Sequence, residues 1–303
     1  MNWAVFGIFA AYAGIGVLAL IVWWLVYDRL LTPSHPLREA LFGRKPNTAV
    51  ALDFLGGMLA MAVLTYRIIG GPQLDNFAQD LEVVSVSLVI MVALLASMRL
   101  GLAGLLRIWF GQRRDRQGDI VRFNNELFRQ HNTATGLFST AFYLVLVAGL
   151  VEQDFLDLAG NRWPAAWNIL GVWMMGAGTI ALHSWFYLGL SSRRNILQEC
   201  FHDNNPAAAF SLIGLVAGIT ALNHGLISGL RPGEHMLNTP ALWYYLAAAL
   251  GFVLAVRLLL QAALRVLMSV SLRGELSRDN TAWGLLDGGL IFSLFLILIA
   301  LIV

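Results

Sequence analysis

Five ionisable residues lie inside strongly apolar stretches: Asp53, Arg99, His183, Arg257 and Asp287. Charge in hydrocarbon is expensive, so such residues face a bundle interior or a wet cavity and pair with one another. Two chemistries fit these residue types. In one, Asp53 and Asp287 bind a small cation or proton, Arg99 and Arg257 act as counter-charges, and His183 titrates as a relay near neutral pH. In the other, two Asp-Arg pairs fasten helices together and His183 bonds a backbone carbonyl. Two acids balanced by two arginines suit fastening, because a cation pathway keeps unpaired acid. Both readings stay open at the level of sequence. Gly56-Gly57 and Gly288-Gly289 follow the two acids. They allow either broken helices with exposed carbonyls or, more simply, close helix packing.

Other chemistry finds little footing. Cys200 is the lone cysteine, which rules out an intrachain disulfide, a thiolate cage and a CxxC pair. His131, His202, Asp203 and Asp279 each lie close before an asparagine, but no HExxH or other ligand spacing accompanies them. Haem would need a partner for His183 at equal depth, and His224 lies near the opposite face. The expectation is no enzyme, no metal and no cofactor. A net charge of +2 gives no footprint for nucleic acid.

The elements that must position these residues are membrane helices. Hydrophobic residues make up 58% of the 303 and charged residues 13%, a balance that no soluble core could hide. Eight segments reach the roughly twenty apolar residues needed to cross a bilayer. They are Ala4 to Tyr27, Asn47 to Gly70, Val83 to Trp109, Asn132 to Val151, Ala165 to Leu190, Pro206 to Ser228, Pro240 to Leu267 and Thr281 to Val303. The first lacks a basic leader and a cleavage site, so it reads as a retained span. At about 1.5 Å per residue, Asp53 and Asp287 sit roughly 10 Å into their segments, while Arg99 and Arg257 sit roughly 15 Å from the inner ends of theirs. A snorkelling arginine stem spans that difference.

Arginine sets the orientation, because cytoplasmic loops retain positive charge. The odd-numbered connections hold Arg29, Arg38, Arg44 and Lys45, then Arg113, Arg114, Arg116, Arg122 and Arg129, then Arg193 and Arg194, then Arg273 and Arg278; the even ones hold only Arg162 and Arg231. Both termini are therefore expected outside. The basic stretch from Gln112 to Gln130 fixes topology or contacts anionic lipid. Trp23, Trp24 and Trp109 at inner ends, and Trp163, Trp167, Trp243, Tyr244 and Tyr245 at outer ends, read as interfacial belts.

Every even segment opens alike: Asn47-Thr48-Ala49, Asn132-Thr133-Ala134, Asn205-Pro206-Ala207 and Asn280-Thr281-Ala282. A glutamate precedes each, at Glu39, Glu126, Glu199 and Glu275, and a small residue follows nine positions on, at Gly56, Ala141, Gly214 and Gly289. Asparagine caps a helix start, and a small residue lets backbones approach. The fold class expected is an all-α membrane protein with eight transmembrane helices as four parallel two-helix repeats, at residues 1–71, 72–155, 156–230 and 231–303. Parallel repeats imply an axis along the membrane normal and a bundle with the capped helices in equivalent positions.

At these residues the chain resembles the YjfL-like family of bacterial inner-membrane proteins, a domain of unknown function whose paired spans carry Asn-x-Ala at the second helix. The likeness covers all four units, although the third has Pro206 at the x position and only the first and fourth carry an intramembrane acid. The resemblance implies a multi-pass inner-membrane location and a role in envelope maintenance, with no catalytic residue to transfer. Two functions remain: a non-catalytic scaffold that recruits cytoplasmic protein partners, and a channel or transporter for a small cation or proton.

Overall fold

The computed structural model describes residues 3–70, 76–114, 118–151, 196–228, 239–269 and 271–302. The expected span Ala165 to Leu190, with His183, and the tryptophans Trp163 and Trp167 lie outside them. The described residues form helices and no strand; a single bridge joins Arg114 to Ile120.

Helix α1 (Trp3–Val26) runs into a π-helical turn (Tyr27–Leu31), followed by α2 (Leu37–Phe42) and α3 (Thr48–Ile69). Then come α4 (Phe77–Phe110), α5 (Phe123–Phe128) and α6 (Thr133–Val151). The second half holds α7 (Ile196–Phe201), α8 (Pro206–Ser228), α9 (Pro240–Met268), α10 (Leu272–Ser277) and α11 (Thr281–Ile302). Among the described residues four stretches are long and apolar enough to cross a membrane: Ala10–Leu31, Thr48–Ile69, Phe77–Phe110 and Thr281–Ala300; a shorter apolar one runs over Pro206–Leu222. Helix α4 begins six residues before Val83, and its 34 residues exceed what one crossing requires.

Each capped helix starts the same way. The side-chain oxygen of Asn47 accepts from the Val50 N–H at 3.2 Å, that of Asn132 from Thr135 at 2.9 Å, that of Asn205 from Ala208 at 3.0 Å and that of Asn280 from Trp283 at 3.4 Å. Just before three of these caps the backbone turns left-handed, at His131 (φ 52°), Asn204 (φ 51°) and Asp279 (φ 59°). Histidine, asparagine and aspartate are the non-glycine residues that tolerate this region best. Pro46 stands there in the first unit.

The other end of each cap reaches across the repeat. Asn47 Nδ2 donates to the Leu127 carbonyl of α5 at 2.7 Å. Asn132 Nδ2 donates to the Cys200 and Phe201 carbonyls of α7 at 3.2 and 3.0 Å, and Asn205 Nδ2 to the Leu276 carbonyl of α10 at 2.6 Å. Each unit is thus tied to the short helix of the next. Two further ties cross the same seams: Asn204 Oδ1 accepts from the Ala134 N–H at 3.2 Å, and Asp279 Oδ1 from the Ala207 N–H at 3.3 Å. The glutamates brace the caps from behind, Glu126 to Asn132 at 3.1 Å, Glu199 to Asn205 at 3.0 Å and Glu275 to Asn280 at 2.9 Å. Glu39 does not take that part. The Asn47 N–H bonds the Ala40 carbonyl where its counterparts bond the glutamate's own carbonyl, so Ala40 fills the structural position of the glutamate.

Above the caps, α3 packs on α6, α6 on α8 and α8 on α11, a row in chain order. No comparable packing joins α3 to α11, so the four capped helices form an open row. Glycine makes the contacts close. A Cβ on Gly56 would strike Thr140, one on Gly136 the Ala49 carbonyl, one on Gly214 the Gly288 backbone, and one on Gly284 the Ala207 carbonyl. Trp23 departs from the belt reading: its indole is fully buried against Gly57, in a slot that exists because residue 57 has no side chain. Trp24 and Trp109 stay exposed, as do Tyr244 and Tyr245.

Gly214→Ala should therefore destabilise the protein by about 1–3 kcal/mol through forced displacement of α11. Gly104→Ala, with nothing within 4 Å, should be neutral or stabilise by up to about 1 kcal/mol through helix propensity. Thermal unfolding in detergent, monitored by helical circular dichroism, measures both.

Candidate functional site

Two charged centres sit inside the helical layer, one in each half of the chain. In the first, Arg99 of α4 meets Asp53 of α3, Nε to Oδ2 at 3.0 Å. The Tyr27 hydroxyl donates to the same carboxylate oxygen at 2.6 Å, brought there by the π-helical turn that ends α1. The remaining face of the guanidinium is filled as well. One NH2 group bonds Asn124 Oδ1 at 3.2 Å, and the plane lies 4.9 Å from the Tyr27 ring and 5.0 Å from the Phe123 ring. Such cation–π contact is worth about 0.5–2 kcal/mol and more as water is excluded. Asp53 is 0% exposed and Arg99 2%.

In the second centre Arg257 of α9 grips Asp287 of α11 with two nitrogens, Nε to Oδ1 at 3.1 Å and an NH2 group to Oδ2. The Ser211 hydroxyl of α8 donates to the same Oδ2, and Arg257 also reaches Ser211 Oγ at 3.3 Å. A bidentate guanidinium–carboxylate pair fixes direction as well as charge. Both acids and both arginines that stand out in the sequence are thus brought together two by two. They form separate centres, not one cluster, and His183 lies outside the described residues.

The centres are related by an exchange. Arg99 and Arg257 are 158 residues apart, as are Asn47 and Asn205, so Asp53 corresponds to Ser211. Counting from the caps Asn132 and Asn280, Asp287 corresponds to Ser139. The first half therefore carries aspartate on its first capped helix and serine on the second; the second half carries the reverse. Ser139 is buried and bonds the Gly136 carbonyl at 2.9 Å. Arginine is the constant member, and one carboxylate reaches it from either of two neighbouring helices.

Tyr27, Asn124 and Ser211 escape sequence reasoning because nothing in their own spacing marks them; the 158-residue offset alone points to Ser211. A third buried aspartate was also missed: Asp80, at the start of α4, accepts from the Tyr12 hydroxyl of α1. Among the described residues six buried polar side-chain atoms make no close hydrogen bond; Asp53 Oδ1 and the Tyr143 hydroxyl are two of them, and they stand near each other.

The histidines near the caps do not assemble a ligand set, and no group of three metal-binding side chains occurs among the described residues. His202 Nδ1 contacts Asp203 at 2.7 Å and its Nε2 contacts the Arg114 carbonyl at 2.9 Å, pinning the basic loop to α7. Burial, with the Glu126 carboxylate adding to it, pushes the Cys200 thiol far above its ordinary value, so it is an inert core residue. A cleft of about 570 Å³ opens between α3, α6, α8 and α11, lined by Val63, Leu144, Val147, Ala217, Thr220 and His224 among others. It is apolar except for Thr220 and His224, and neither charged centre lines it.

No curated protein and no solved structure matches the chain. One family model does, and it matches twice, over residues 1–153 and 158–303, the same halves that the arginine centres divide. A membrane protein of two tandem halves, each built on capped helices around one buried arginine, the chain belongs to the family described as Domain of Unknown Function DUF350.

Proposed function

We propose that this chain is a non-catalytic membrane scaffold whose intramembrane charges are fasteners, and that it crosses the bacterial inner membrane eight times as four parallel two-helix units with both termini outside. The observation that carries this reading is the sealing of both acids: Asp53 and Asp287 are buried, each is paired with a buried arginine, and each accepts a hydroxyl. A cation site needs acid that a cation can reach. The arginine-rich connections leave charge for cytoplasmic protein partners or anionic lipid, as envelope maintenance would require. A second reading, movement of a small cation or proton, draws on the Asp53 Oδ1 atom, which the Arg99 and Tyr27 bonds leave facing the Tyr143 hydroxyl.

Fastening and conduction predict opposite results in proteoliposomes. The scaffold gives no ion or proton flux above protein-free vesicles, and both Asp53→Asn and Asp287→Asn lower thermal stability in detergent. Flux in the unaltered protein, lost in variants that remain folded, would establish transport instead.

Removing one partner of a buried pair strands the other, at a cost of about 3–5 kcal/mol. Arg99→Leu should lose that much stability, while Asp53→Leu combined with Arg99→Leu should recover most of it. Denaturant titration in mixed micelles gives both values.

The exchange between halves makes a sharper case. Asp53→Ser should destabilise the first centre, and adding Ser139→Asp should restore stability by returning a carboxylate to Arg99 from the neighbouring helix. The same titration reads the rescue, and a double variant weaker than Asp53→Ser alone would count against arginine as the fixed centre.

A further inference from the structure

Inside the chain one close interface is made twice in the same direction, by α3 on α6 and by α8 on α11. The face that looks forward to the next unit carries the residues two, five and nine positions after the capping asparagine. In α3 these are Ala49, Leu52 and Gly56: the Ala49 carbonyl lies under Gly136, the Leu52 carbonyl accepts from Thr140 Oγ1 at 2.7 Å, and Gly56 meets Thr140. In α8 they are Ala207, Phe210 and Gly214, which meet Gly284 and Gly288. The receiving face carries positions four and eight, Gly136 and Thr140 in α6 and Gly284 and Gly288 in α11.

The last unit keeps the forward pattern with no described helix packed in front of it. Ala282, Leu285 and Gly289 of α11 are all exposed, Leu285 at 53%, and a Cβ on Gly289 would meet nothing within 4 Å. Ser293, four residues on, extends the small surface. At the opposite end of the row the receiving face of α3 is open as well, with Leu55 49% and Leu59 44% exposed. Repeat proteins close their ends with atypical outer faces. Here the outer face of α11 retains the interface residues.

We propose that a second copy of this chain continues the row: α11 of one copy packs on α3 of the next, with Gly289 against Leu55 and Ala282 against Ala51. Asn280 Nδ2, which among the described residues bonds Glu275 of its own unit, donates to the Leu41 carbonyl of the next copy, the position equivalent to Leu127, Cys200 and Leu276. Units related in this way all face the same side of the membrane, so head-to-tail growth preserves orientation. A heterologous interface of this kind closes into a ring or runs on as a filament. This inference rests on the geometry of the row and holds whether the charges fasten or conduct.

Cysteines test the register directly, with buried Cys200 left in place. Oxidation in native membranes of the chain bearing both Gly289→Cys and Leu55→Cys should give a ladder of cross-linked species, and neither single variant should cross-link. Gly289→Leu should reduce association at least tenfold, measured by native mass spectrometry in nanodiscs, with the melting temperature of the monomer unchanged because the site is open. Dimers linked between two residues 289 or two residues 55 would overturn the proposal in favour of a symmetric contact. Monomers throughout, with lipid or an unrelated protein on α11, would overturn it too.

Discussion

A helix entering lipid must satisfy its first N–H groups before water is gone, and an asparagine carboxamide has one acceptor and one donor to offer. In this protein the acceptor is spent on the residue's own helix and the donor on a carbonyl of the following unit. The same side chain therefore ends one element and locates the next. Everything above it depends on that registration, because the glycine contacts tolerate little shift: Gly136 sits on the Ala49 carbonyl and Gly284 on that of Ala207 only if the caps are level. Without a hydrophobic force between helices in lipid, close van der Waals contact and polar bonds must hold the row together.

The buried arginines belong to the same logic. A guanidinium inside the layer is tolerable only with its charge answered and its donors occupied, and both centres do this with a carboxylate, a hydroxyl and, at Arg99, an amide oxygen and two aromatic faces. Serine takes the place that aspartate leaves, at Ser211 and Ser139. One carboxylate per arginine is the electrostatic requirement; which helix supplies it is free. That freedom explains why acids appear in the first and fourth units only, which in sequence looks like irregularity.

The repeat was legible because capping and close packing are local demands that confine residue choice: asparagine at the start, alanine two further on, a small residue at nine. The separate pairing of Asp53 with Arg99 and of Asp287 with Arg257 was legible only in part, since helix depth gives the level of a residue but not the neighbour it faces. Trp23 misled, because an indole at a segment end looks interfacial until the glycine slot opposite it is known. Glu39 misled by one position, since the first connection from short helix to cap is longer than the others and puts Ala40 in register. The openness of the row was not legible at all: identical units predict identical contacts, and only three-dimensional angles decide whether the fourth returns to the first.

The central claim is that the capping asparagines join units as well as start helices. Unfolding free energies in mixed micelles for Asn132→Ala, Asn205→Ala and Asn280→Ala, each in chains held monomeric by dilution, test it most directly. Every variant loses a cap worth about 1 kcal/mol. Asn132 and Asn205 should lose about 1–3 kcal/mol beyond Asn280, because each also leaves a buried carbonyl of the next unit unanswered. Equal losses at all three positions would mean that the cross-unit bonds carry no weight and that the row is held by glycine packing alone.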